Sequence, residues 1–95
     1  MEYKILLFPR AEKEITESAD WYESQRKDLG KRFLICIDKS FSSIIENPLK
    51  YALTKGNFRQ TKVDVFPYVI IFQVSEKDIL IHSVFNTWQN PLNKP

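Results

Sequence analysis

The rhythm of apolar and polar positions changes several times along the chain. Its densest point is Val69-Ile70-Ile71-Phe72, four consecutive apolar residues of β-branched and aromatic type. A run this short and this rich in strand formers predicts a strand. Alternation sends Tyr68, Ile70, Phe72 and Val74 to one face and Val69 and Ile71 to the other. A strand that is apolar on both sides predicts a central place in a sheet with both faces covered. Pro67 has no amide hydrogen to give to a ladder, so it marks a strand start, an edge or a bulge.

Upstream, residues 2–8 alternate with Tyr3, Ile5 and Leu7 on one side and stop at Pro9, which predicts a first strand and then the first turn of a helix. From Arg10 to about Asp28, Ile15, Ala19 and Tyr22 recur at i, i+4 and i+7, with Ser18 and Trp21 beside them. Trp21 and Tyr22 are read mainly as packing residues of this helix. Glu12, Glu14, Glu17, Asp20 and Glu23 fill the other face, the early acids suiting the positive end of the helix. Leu29-Gly30 reads as a turn, with Gly30 free to take positive φ at a helix C-terminus. A second helix, about Lys31 to Glu46, follows from Phe33, Ile37, Phe41 and Ile44, and Asn47-Pro48 ends it. Leu49 to Asn57 is a loop with Gly56 at a tight turn. Strands are expected over about 58–63, 65–74 and 79–85, the last two joined by Ser75-Glu76-Lys77-Asp78. The tail, Asn86 to Pro95, reads as irregular.

The order β-α-α-β-β-β predicts one α+β domain over residues 1–95. An antiparallel helix hairpin packs on one face of a small, mostly antiparallel sheet. Two helices cover one face only. The other face needs the C-terminal tail through Trp88 and Leu92, a second copy, or a partner protein. The expectation adopted is a protein-binding surface on that face, centred on Val69 and Ile71.

Composition narrows the function classes. The chain carries 27% charged and 43% hydrophobic residues, a globular balance. Net charge is +2, with 8 Lys/Arg against 9 Asp/Glu in residues 1–46 and 6 against 3 in residues 47–95. The second half is mildly basic, which permits an acidic partner. One cysteine, Cys36, and one histidine, His82, do not make a zinc set, and two isolated glycines do not make a phosphate loop. Neither a metal nor a cofactor is expected. Cys36 reads as a small buried hydrophobe. A lone thiol, no signal-like N-terminus and no apolar run near the ~18 residues of a membrane helix predict a cytoplasmic protein.

Several stretches in this order resemble the RelE/ParE toxin family of bacterial type II toxin–antitoxin pairs. They are Ala11-Glu12-Lys13-Glu14-Ile15, Asp20-Trp21-Tyr22-Glu23-Ser24-Gln25, Leu29-Gly30-Lys31-Arg32-Phe33, and Ile44-Ile45-Glu46-Asn47-Pro48 with Tyr51. Arg59, Phe66-Pro67-Tyr68 and Val84-Phe85-Asn86 complete the pattern, which is closer to the ParE-like group. The resemblance implies the fold argued above and an antitoxin partner that wraps the toxin. It also implies one of two actions: poisoning DNA gyrase by binding it, as ParE-like members do, or cutting messenger RNA on the ribosome, as RelE-like members do. A member that retains only antitoxin binding is a third reading.

RNA cleavage on this fold requires a group to activate the 2′-hydroxyl, cations and a proton donor. Arg59, Lys62 and Tyr68 are the candidates. Arg59 reads equally as a surface or antitoxin contact, and Tyr68 as a core ring. His82, in the stretch Ile79–Phe85, is placed on the face of Leu80 and Val84 and read as structural. Asn86 and Gln89 stand where family members commonly carry a histidine and an arginine. Neither replacement is a cation or transfers a proton near pH 7. The expectation is therefore a binding toxin, with Arg59, Val69, Ile71 and Trp88 as partner contacts, Trp88 being either an interaction anchor or a tail anchor.

Overall fold

In the computed structural model, which describes residues 2–88, the chain forms β1 (Lys4–Leu7), α1 (Pro9–Gln25) and α2 (Leu29–Glu46). A single 3-10 turn at Pro48–Lys50 leads on to β2 (Phe58–Lys62), β3 (Tyr68–Ser75) and β4 (Asp78–Asn86). The element order is the expected one. The strands make one mixed sheet in the order β1-β4-β3-β2. β1 runs parallel to β4, and the other neighbours are antiparallel. The helix pair supplies the long crossover that a parallel pairing needs.

The helices pack on one face. Ala11, Ile15 and Ala19 of α1 and Phe33, Cys36, Ile37 and Ile44 of α2 meet Tyr68, Ile70 and Phe72 of β3 and Ile79, Ile81 and Val84 of β4. The alternation expected of β3 holds. Tyr22, Phe33, Phe66 and Tyr68 form an aromatic cluster with centroids 4.9 to 6.3 Å apart. Cys36 is a buried free thiol.

The helix turn differs from expectation. α2 begins at Leu29, and the positive φ of 69° falls on Asp28. Gly30 lies inside the first turn of α2, where the helices approach closely. A Cβ there would run into the Ala19 carbonyl oxygen and sit 3.0 Å from Glu23 Cβ. The Glu23 carboxylate accepts hydrogen bonds from the Asp28 amide (2.9 Å) and the Gly30 amide (3.0 Å). One helix thus caps the start of the next, satisfying donors that the helix itself leaves open.

Two irregularities shape the sheet. Between Ile71 and Phe72 the β3–β4 register slips: Ile71 pairs with Ser83 and Phe72 with Ile81, leaving His82 as the extra residue of a bulge. His82 and Val84 therefore do not share a face as expected. Val84 joins the helix-side core, while His82 rests between Phe8 and Phe58. β3 also starts at Tyr68 rather than Val65. The Phe66 amide bonds the Asp64 carbonyl (2.8 Å) around Val65, whose φ is 73°, a γ-turn in its rarer form. Gly56 sits at the tight turn expected of it, with a φ of 61°.

The second face is not bare where it was expected to be. Val69 and Ile71 are only 7% and 5% exposed. Each is flanked across the sheet, Val69 by Lys62 and Phe85, Ile71 by Gln60 and Ser83. The exposed apolar surface predicted at these two residues is absent, because the chain buries them without a partner. The alternative cover, the tail through Leu92, lies outside the described residues, as does Gln89.

Candidate partner-binding groove

β1 has only four residues, so its ladder on β4 ends at the Leu7–Ile81 pair, with one further bond from the Phe8 amide to the Ile81 carbonyl (3.0 Å). Beyond that point β4 continues to Asn86 with no strand on this side among the described residues. Such an edge offers backbone groups to an added strand. α1 runs beside it. Glu14 reaches from α1 to the edge, where its Oε1 accepts hydrogen bonds from the Ser83 hydroxyl (2.7 Å) and the Val84 amide (3.0 Å). Its Oε2 lies 3.5 Å from Arg10 Nε. Ser83 is fully buried and needs this acceptor.

A groove of about 450 Å³ lies here. Glu14, Glu17, Ser18 and Trp21 form its α1 wall, and Tyr68, Val84 and Asn86 its sheet wall. Trp21 is 58% exposed and meets the Tyr22 ring edge-on at 5.1 Å. Two residues past Asn86, Trp88 is 84% exposed. The end of β4 is held firmly. The Thr87 amide and hydroxyl both donate to the Pro67 carbonyl (2.8 and 3.0 Å), and the Trp88 amide donates to Asn86 Oδ1 (2.8 Å). An open strand edge, two exposed indoles and an acidic wall suit an extended peptide with apolar and cationic side chains.

Sequence reading missed two of these residues. Tyr22, not Trp21, occupies the packing position in step with Ile15 and Ala19, and Trp21 is turned out by one residue's rotation. Glu14 looked like one more acid on a polar helix face. Nothing local in the sequence points to a partner 69 positions away.

The candidate ribonuclease residues do not converge. Arg59 Nη1 donates to the Leu49 and Tyr51 carbonyls (3.3 and 2.5 Å), which ties down the segment after α2. Arg59 pairs with Phe72, four residues along β3 from Tyr68, roughly 13 Å at strand rise. Lys62 pairs with Val69, one step from Tyr68 and thus on the opposite face by alternation. Tyr68 is buried, with its ring in the aromatic cluster and its hydroxyl accepting from Asn86 Nδ2 (3.4 Å). Burial first, then the neighbouring Tyr68 hydroxyl, push the Tyr22 pKa up to about 12, so that phenol stays protonated. His82 bonds Gln73 Oε1 (2.7 Å), and Gln73 Nε2 donates to Asn57 Oδ1 (2.6 Å). Burial lowers the His82 pKa, which keeps the ring neutral at pH 7. Among the described residues no group of His, Cys, Asp and Glu is placed to hold a metal, and no helix is long and apolar enough to cross a membrane.

Comparison with known proteins agrees with this architecture. No curated protein sequence matches the chain. A solved structure described as the chromosomal ParDE TA system from P. aeruginosa superposes with a TM-score of 0.72 at 14% identity, covering 90% of this chain and 96% of that one. That likeness is one of fold. The family model for the ParE toxin of type II toxin–antitoxin system, parDE, matches residues 5–91. Since that match runs through both helices and all four strands, the chain belongs to the ParE toxin family of type II toxin–antitoxin systems.

Proposed function

We propose that the chain is a toxin that acts by binding a protein target, DNA gyrase, in the cytoplasm, and is held inactive by a cognate antitoxin. The antitoxin lays an extended segment along the part of the β4 edge that β1 and Glu14 leave open, with apolar side chains on Trp21 and Trp88 and a basic one on Glu17. The observation that supports this is the stretch of β4 beyond Ile81 that has no strand beside it among the described residues, with Trp21 exposed in the groove wall and Trp88 exposed two residues past the strand's end. Action by binding also fits the scatter of Arg59, Lys62 and Tyr68, since a binding module needs no assembled proton-transfer site. Arg59 serves in this account as an anchor of the fold rather than a contact.

The test is calorimetric titration of the chain with the protein encoded by the neighbouring reading frame. Trp21→Ala and Trp88→Ala should each weaken binding by about 30-fold, the scale of a buried aromatic anchor. Affinities equal to the parent for both variants would remove the groove from the account.

A further inference from the structure

β1 is the last strand of the sheet, and its outer edge carries no strand among the described residues. Its ladder fixes which backbone groups lie there. The Lys4 amide donates to the Lys77 carbonyl and the Phe8 amide to the Ile81 carbonyl, both at 3.0 Å. Alternation along the strand then turns the amides and carbonyls of Lys4, Leu6 and Phe8 towards β4 and those of Ile5 and Leu7 outward. The strand lacks the devices that usually close an edge. It holds no proline and no bulge, and its one charge is Lys4 at the start. Instead Leu6, Leu7 and Phe8, three in a row, are each more than a third exposed. The opposite edge is different: β2 carries Gln60, Thr61 and Lys62, and the Leu53–Arg59 bridge covers its start. One edge of the sheet is polar and partly covered, the other apolar and open.

We propose that a second copy of this chain occupies that edge, its β1 adding antiparallel to the first across a twofold axis at Leu6. The outward groups set the register. Ile5 of one copy and Leu7 of the other make a hydrogen-bonded pair, and the axis generates the same pair again. Leu6 then meets Leu6 of the other copy at the non-hydrogen-bonded position between them, where side chains come closest. The edge is complementary to itself, as an isologous interface requires. On the helix side, Ile5, which packs against the core, meets Leu7. On the other side Leu6 meets Leu6, and Lys4 meets Phe8, whose ring is held against His82 at 4.3 Å and gives the ammonium an aromatic partner. A slip of two residues, with the axis at Ile5, sets Lys4 against Leu6 and Glu2 against Phe8, so apolar matching selects the axis at Leu6. An uncharged stretch from Ile5 to Leu7 offers nothing to hold a charged segment. None of these residues lines the groove at β4, and the dimer does not depend on the toxin reading.

Sedimentation velocity of the full chain, from micromolar to sub-millimolar concentration, should show a reversible dimer. Leu6→Glu puts like charges opposite each other at the axis and should weaken it by about tenfold or more. Leu7→Pro removes an outward amide that the monomer's own ladder does not use, and should weaken it about tenfold as well. Leu6→Cys should link two chains by a disulfide under mild oxidation, since Cα atoms at the axis lie about 4.5 Å apart. Lys4→Cys, roughly 14 Å from its copy, should not. The parent, whose one cysteine is buried, is the control. Lys4, Leu6 and Leu7 are exposed, and a circular dichroism spectrum like the parent's will confirm that each variant folds. A monomeric parent, a dimer that Leu6→Glu leaves at parental affinity, or a Leu6→Cys chain that links no faster than Lys4→Cys overturns the proposal. A monomeric parent whose binding to the neighbouring-frame protein is lost in Leu6→Glu gives the edge to that protein instead.

Discussion

Glu14 and Ser83 stand 69 positions apart in sequence and meet at 2.7 Å, where the helix carboxylate closes off a fully buried hydroxyl and the adjoining Val84 amide. This contact fixes α1 against β4 where the β1 ladder has ended. Glu14→Ala should cost about 1–3 kcal/mol, because it orphans two polar groups at once. In a domain of this size each kcal/mol lowers the melting temperature by roughly 4–8 °C. Glu14→Gln should lose less, since an amide oxygen can accept both bonds. Thermal unfolding of the two variants checks this, and an Ala variant as stable as the parent would show that water satisfies the edge.

Phe72 sits fully buried at the centre of the helix-side core, with Tyr51 edge-on to it at 5.8 Å. Phe72→Ala should cost about 3–5 kcal/mol. Small domains hold only about 5–15 kcal/mol in total, so the variant should be largely unfolded or close to it in urea titrations. A loss below ~1 kcal/mol would contradict the central placement of β3.

The helix hairpin makes a second demand. Gly30→Ala puts a methyl into the Ala19 carbonyl and must push α1 and α2 apart. In an exposed helix the same change is favourable by about 1 kcal/mol. Here it should destabilise. Glu23→Ala removes the acceptor for the Asp28 and Gly30 amides and should cost about 1 kcal/mol, as loss of a cap does. Denaturant midpoints decide both; a stabilised Gly30→Ala would mean the helices have room to spare.

These residues show which parts of the structure the chain advertises locally. The alternation of Tyr68, Ile70, Phe72 and Val74 and the helical spacing of Ile15, Ala19 and Tyr22 depend only on the period of the element, and both appear as expected. The bulge at His82 depends on how β4 is registered against β3, which no single strand records. Gly30 reads as a turn residue until the distance between the two helices is known. Burial of Val69 and Ile71 depends on what lies across the sheet, so apolar character there did not mean a surface for a partner. The groove was the least legible part, because it is made by the shortness of β1 as much as by any residue in it.

His82 makes stability depend on pH. Burial holds its pKa below the ordinary value of about 6.5. As pH falls through 6.5 the unfolded chain takes up a proton that the folded chain still refuses. The unfolded state then binds more protons, and stability declines towards the folded pKa. Above about pH 6.5 this contribution is fully present. Urea unfolding between pH 7.5 and 5 should show the decline in the parent, and His82→Gln should flatten it. An identical pH profile in the variant would assign the decline to other groups.

The proposed action of this fold, disabling its target by binding it, is open to a supercoiling assay with purified DNA gyrase. Added chain should suppress supercoiling in proportion to its concentration, and the neighbouring-frame protein should restore it at a one-to-one ratio. Full supercoiling at saturating chain would contradict the account.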